Sequence, residues 1–165
     1  MRGPLRLALG EATLELSAPP SVEELKKQTT STNKYESRHA EELLKNIEAG
    51  RTPSTYPYLV QVAQFGSDLT MVGLAGEVVV DYSLRLKKEL AVPTSAEGPT
   101  IWVAGYCNEV FGYVPSQRVL QEGGYEARES VLYYDVTKTP FAPSVEKLIV
   151  DKVHELVQKA RTMTD

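Results

Sequence analysis

The 165-residue chain is poor in the side chains that most often do chemistry. It carries one cysteine, Cys107, and two histidines, His39 and His154. A single cysteine excludes an intrachain disulfide and leaves the redox compartment open. The histidines lie far apart in sequence and fit no HExxH pattern. No P-loop, GxGxxG or GxSxG occurs. No apolar run approaches the roughly 20 residues that a membrane-spanning helix needs. Positive charge is also in deficit, with 18 Lys and Arg against 22 Asp and Glu and a net charge of -4. No basic stripe is therefore present to neutralise phosphates, which argues against non-specific nucleic-acid binding. Internal repeats and low-complexity tracts are absent. The N-terminus, MRGPLRLALGEATLEL, imitates a signal peptide briefly, but its apolar part is short and Glu11 and Glu15 interrupt it. The lack of such a signal predicts either a cytoplasmic protein or a piece of a longer one, and no localisation is assigned.

What remains is an ordinary globular composition, 42% hydrophobic and 24% charged, long enough for a single domain over 1–165. Leu5, Leu7 and Leu9 alternate, and Leu14 and Leu16 alternate again, so a strand is expected up to Ser17. Ser21 with Glu24, and Asn33 with Glu36, are capping-box patterns that predict helices over about 22–30 and 34–49. The runs at 58–65 and 69–75 read as strands, and Gly66-Ser67-Asp68 between them predicts an antiparallel hairpin. A helix is expected over 77–90, then a loop, PTSAEGP. A buried strand is expected over 100–106, and a short helix from Pro115 to Gln121, ended by Gly123 and Gly124. Residues 130–135 read as a strand, and the stripe from Val145 to Ala160 as a final helix. The interleaving gives an α/β class, with α+β as the alternative: a mixed sheet with an antiparallel hairpin, flanked by helices.

Few residues invite a chemical reading, and each has an ordinary one beside it. Glu77, in LAGEVV, sits at a strand-to-helix corner. An acid there is favoured by the helix macrodipole, and is also placed to act as a carboxylate ligand or general base. Tyr113 and Tyr125 are expected as half-buried aromatics at a sheet edge. Cys107 reads as a small hydrophobe, and Asn108 as a turn former. His39 and His154 read as surface or helix-flank residues.

One ordered set of motifs goes further. VGLAGEVVVDYSLRLKKEL and, downstream, IWVAGYCNEVFGYVPSQRVLQEGGYE resemble the neutral/alkaline non-lysosomal ceramidases and their bacterial relatives. The positions carrying the resemblance are Gly76-Glu77, Ala104-Gly105, Asn108, Gly112-Tyr113-Val114 and Tyr125-Glu126. It covers roughly 58–135. It implies a zinc-dependent amidohydrolase that cleaves an N-acyl amide, such as ceramide, to a sphingoid base and a fatty acid. Glu77 and Tyr113 are then implied as zinc ligands, Tyr125 as a catalytic residue at the scissile amide oxygen, and Asn108 as a substrate contact.

The resemblance is incomplete in an informative way. The family's two histidine ligands, and a serine in an Asn-x-Gly-Asp-Val-Ser-Pro type segment, lie upstream of the Gly-Glu pair, and neither occurs before Glu77 here. The expectation is a C-terminal portion of a larger catalytic domain, inactive alone. Its partners would be a ceramide-like lipid or other N-acyl amide and the missing N-terminal part. Zinc needs three or four protein ligands, so it should bind this chain weakly. The alternative is a non-catalytic α/β interaction or scaffold domain. Either way, an exposed apolar patch or unpaired strand edge is expected, with some self-association.

Overall fold

The computed structural model describes residues 3–91, 99–134 and 136–163. The PTSAEGP loop lies almost wholly outside the described residues, as does Asp135. The mixed α/β class is as expected. Strand β1 spans Leu5–Glu15, followed by helices α1, Val22–Gln28, and α2, Lys34–Glu48. Strands β2, Thr55–Phe65, and β3, Leu69–Leu74, form the hairpin, closing from Phe65 to Leu69. A two-residue strand β4, Glu77–Val78, leads into helix α3, Val80–Leu90. Then come β5, Thr100–Ala104, β6, Tyr113–Val114, α4, Gln117–Glu122, and α5, Val145–Thr162.

The main sheet has the order β1-β2-β3-β5. β1 and β2 are antiparallel, as are β2 and β3, while β3 and β5 run parallel. The period-2 pattern sorts the faces. Ala8, Ala12 and Leu14 of β1, Tyr58, Val60 and Val62 of β2 and Val72 of β3 are buried on one face. Helix α5 covers β1 and β2 there, and α3 covers β5. The α5 stripe Val145, Ile149, Val153, Leu156 and Ala160 supplies the opposite wall. Each fully buried Val, Ile or Leu contributes about 1.5–3 kcal/mol of transfer free energy. Helices α1 and α2 form a separate small cluster around Leu25, Ala40 and Leu43. The Ser21 capping box holds α1 and the Asn33 side chain caps α2.

Three expectations are corrected. The strand expected over 130–135 is not found over its described residues, 130–134: Glu129–Leu132 form a 3-10 helix, and Tyr134 N–H donates back to the Ser130 carbonyl. The rings of Tyr133 and Tyr134 instead pack against Tyr125 and Tyr113. The helix after Gly76 begins at Val80, so Glu77 stands in β4, before the helix rather than in its first turn. His39 is buried on α2, 8% exposed, and is not a surface residue.

Candidate functional site

The site is built where the chain leaves β3. Gly76 has φ 67, and a Cβ there would lie 2.9 Å from the Gly112 carbonyl oxygen and 2.9 Å from Val114 Cγ2. Only glycine fits that left-handed, crowded corner. The loop after β5 closes over it. Tyr106 N–H donates to the Gly76 carbonyl (2.8 Å), Gly76 N–H to Glu109 (2.8 Å), and Glu77 N–H to Gly112 (2.8 Å). Tyr106 and Asn108 take left-handed backbone, φ 57 and 67, to make that turn. Such conformations cost of order 1–3 kcal/mol for residues other than glycine and persist where surroundings impose them.

The result is a parallel ladder with Glu77 opposite Tyr113 and Val78 opposite Val114. The Glu77 charge acts on two neighbouring phenols, Tyr106 and Tyr113. The Tyr125 ring packs edge-on against Tyr113, with centroids 5.5 Å apart. Tyr134 meets Tyr113 at 6.4 Å and Tyr133 meets Tyr125 at 5.9 Å. Glu77 and Tyr113 line an open cleft of about 280 Å³ that also borders Arg118 and Glu126. Its floor is fixed from below: Asp81 at the start of α3 accepts from Arg118 Nη2 (2.9 Å) and from buried Ser116, while Ser116 caps α4 through Val119 N–H.

Electrostatics follow from the placement. The Tyr106 phenol is pushed up to about 12, first by its hydrogen bond to Glu77, then by desolvation and the Glu77 charge. Partial desolvation, followed by the charge and hydrogen bond of Glu77, also raises Tyr113. Desolvation and the neighbouring Tyr134 and Tyr133 raise Tyr125. The phenols are therefore neutral donors at physiological pH. An anion beside them stabilises the protonated form.

Of the residues named from sequence, Glu77, Tyr113 and Tyr125 come together. Asn108 is exposed in the loop, with the left-handed backbone of a turn former. Cys107 is half-buried and packs toward Gly73, whose added Cβ would meet its Sγ at 3.3 Å. The histidines stand elsewhere: His39 borders a groove with Leu43 and Glu129, and His154 Nε2 lies 2.7 Å from Glu89. Sequence reasoning missed Tyr106 as a Glu77 partner, and missed Tyr133 and Tyr134, which a strand reading had absorbed. A local signal existed for Tyr106, since it follows the end of β5 by two residues and must turn back toward the strand beside it.

The donors gathered at Glu77 are oxygens. Glu77, Tyr113 and Tyr106 offer oxygen only, and among the described residues no group of three or more His, Cys, Asp or Glu is arranged to hold a metal ion. A catalytic zinc takes three protein ligands, usually with histidine among them. Glu77 and Tyr113 would be two of the ligands that such a site needs.

No protein-family model matches the sequence, and no curated protein does. Part of the fold is similar to a solved structure described as "Ceramidase complexed with C2", with 21% identity and a TM-score of 0.44. The similarity covers 70% of this chain and 17% of that one, so the chain spans about a sixth of that protein's length.

Proposed function

We propose that this chain supplies one wall of an amidohydrolase site of the ceramidase type, acting on an N-acyl amide. The observation that supports this most is the ladder that sets Glu77 against Tyr113, with Tyr125 packed on the same ring. The ordered motif resemblance agrees with it. In this reading Glu77 and Tyr113 are two ligands of a zinc ion, and histidines from outside the chain complete the set. When bound, zinc would supply Lewis acidity and an acidified water. What the chain itself contributes is a carboxylate on a parallel ladder, two neutral phenols beside it, and a third phenol, Tyr125, packed on Tyr113. Asn108 shapes the loop beside them. The whole-protein activity, and a lipid rather than another amide as substrate, belong to the same proposal.

The test is a zinc titration of the chain, followed by the ultraviolet difference band of tyrosinate. The expected result is weak binding, far below the about 10–16 kcal/mol of a complete structural zinc site. Saturating zinc should produce a tyrosinate signal that Tyr113→Phe removes and Glu77→Gln weakens, without amide turnover. A zinc signal indifferent to both substitutions would sink the assignment. The exposed Leu5, Leu7, Leu9 and Trp102 favour a second reading, an interaction domain.

A further inference from the structure

Five tyrosine rings touch in sequence across the surface, from Tyr35 through Tyr133, Tyr125 and Tyr113 to Tyr134, with successive centroids 4.8, 5.9, 5.5 and 6.4 Å apart. Tyr35, on the first turn of α2, stands outside the cleft. Its pair with Tyr133 is the closest of the four, tilted at 54°. Tyr113 instead meets Tyr125 and Tyr134 nearly edge to face, at 76° and 75°. In that arrangement the edge of one ring points at the face of the other. A closer, tilted pair brings two ring edges together. Both rings are about half exposed, Tyr35 at 50% and Tyr133 at 44%. They also lie on a seam. Helices α1 and α2 have their own core around Leu25, Ala40 and Leu43, separate from the core that the sheet, α3 and α5 share. An ion pair that crosses from α2 to the body, Lys138 Nζ to Glu42 at 3.2 Å, is part-exposed and of the kind that adds little stability.

We propose that Tyr35 and Tyr133 form a site of oxidative cross-linking, joined as dityrosine when a one-electron oxidant of the peroxidase or metal-oxo class reaches the surface. The step balances as two one-electron oxidations. Each phenol gives one electron to the oxidant and one proton to water, which leaves two tyrosyl radicals. The ring carbons ortho to the two oxygens form the new C–C bond. The hydrogen on each of those carbons then moves to the oxygen of its ring, and both phenols are restored. The product has lost two electrons and two protons, and two equivalents of oxidant have taken up the electrons. The bond closes a loop of about 100 residues, so it removes conformational entropy from the unfolded chain as a disulfide does. It also fastens α2 to the body across the seam. A single cysteine leaves the chain no intrachain disulfide for that purpose. The site stands apart from the reading of the cleft, because neither ring lines it.

The test oxidises the whole chain, kept dilute, with a photo-excited ruthenium tris-bipyridine complex and persulfate. The band of the single chain on a denaturing gel should gain the blue fluorescence of dityrosine. Peptide mass spectrometry should find the peptides of Tyr35 and Tyr133 joined, lighter than their sum by two hydrogen atoms. Tyr35→Phe and Tyr133→Phe should each remove that intrachain product. Tyr134→Phe, next in sequence but packed on Tyr113, should leave it unchanged. Circular dichroism checks that each variant folds. The cross-linked chain should unfold at a higher urea concentration than the untreated one, and oxidised Tyr35→Phe should not gain. Cross-links found only between chains overturn the proposal, as does an intrachain product that survives both substitutions. A main product joining Tyr113 to Tyr125 overturns it as well. A joined pair with an unmoved urea midpoint overturns the fastening of α2.

Discussion

Glu77 and Tyr113 are direct ladder partners, joined across parallel β4 and β6 although 35 residues of chain separate them. The backbone sets the distance, and the Glu77 charge, after desolvation, helps to raise the Tyr113 phenol. Tyr106 reaches the same carboxylate from a third segment.

That shared carboxylate predicts a titration effect. In Glu77→Gln, the phenol of Tyr106 should titrate below about 12, moving toward the ordinary value of 10.0, and Tyr113 should move the same way. The sign follows because removing an anion lowers the cost of making a phenolate beside it. Spectrophotometric alkaline titration measures it. An unchanged Tyr106 titration would mean that the hydrogen bond is not what holds it up.

The corner that presents Glu77 depends on Gly76. Gly76→Ala forces a Cβ onto a residue at φ 67 and into contact with Gly112 and Val114. The left-handed cost is about 1–2 kcal/mol, and displaced packing raises the total to about 2–4 kcal/mol. Urea unfolding should show that loss, whereas Gly123→Ala, where nothing lies within 4 Å, should show only the conformational part.

Acid should loosen the floor of the cleft. The hydrogen bonds from Arg118 and then Ser116 hold the Asp81 carboxyl below its ordinary 3.8. A lowered carboxylate stabilises the fold above its unfolded value, and the contribution is lost as pH falls through the folded value. Between about pH 4 and 2 the chain should therefore lose stability more steeply than Asp81→Asn. At pH 7 Asp81→Asn should be the less stable of the two. Thermal melts across that range would reveal parallel curves if Asp81 contributes nothing.

Much of this was legible in the sequence because local rules and global fold agree. The alternation in β1, the hairpin at Gly66, the Ser21 capping box and the α5 stripe each survive in the structure. The errors arose where long-range contacts overrule local preference. The Val131, Tyr133 and Tyr134 segment has strand propensity, yet its side chains are used against Tyr113 and Tyr125 and its backbone turns. Glu77 sits beside a helix start in sequence, yet pairing with Tyr113 keeps it extended. His39 carries a polar side chain, but the stripe of α2 places it inward with Ala40 and Leu43.

The sequence alone determined the periodicities, hence the elements, and the turn chemistry that joins them, because those depend on neighbours within a few residues. Only the tertiary structure decided that Glu77, Tyr106, Tyr113 and Tyr125 share one site. Those contacts are set by a parallel ladder and a folded-back loop, whose partners no local pattern can specify. The same holds for the sheet face that carries the exposed Leu5, Leu7, Leu9 and Trp102. The alternating leucines of β1 announce a strand, but which side the helices cover depends on where α3 and α5 pack.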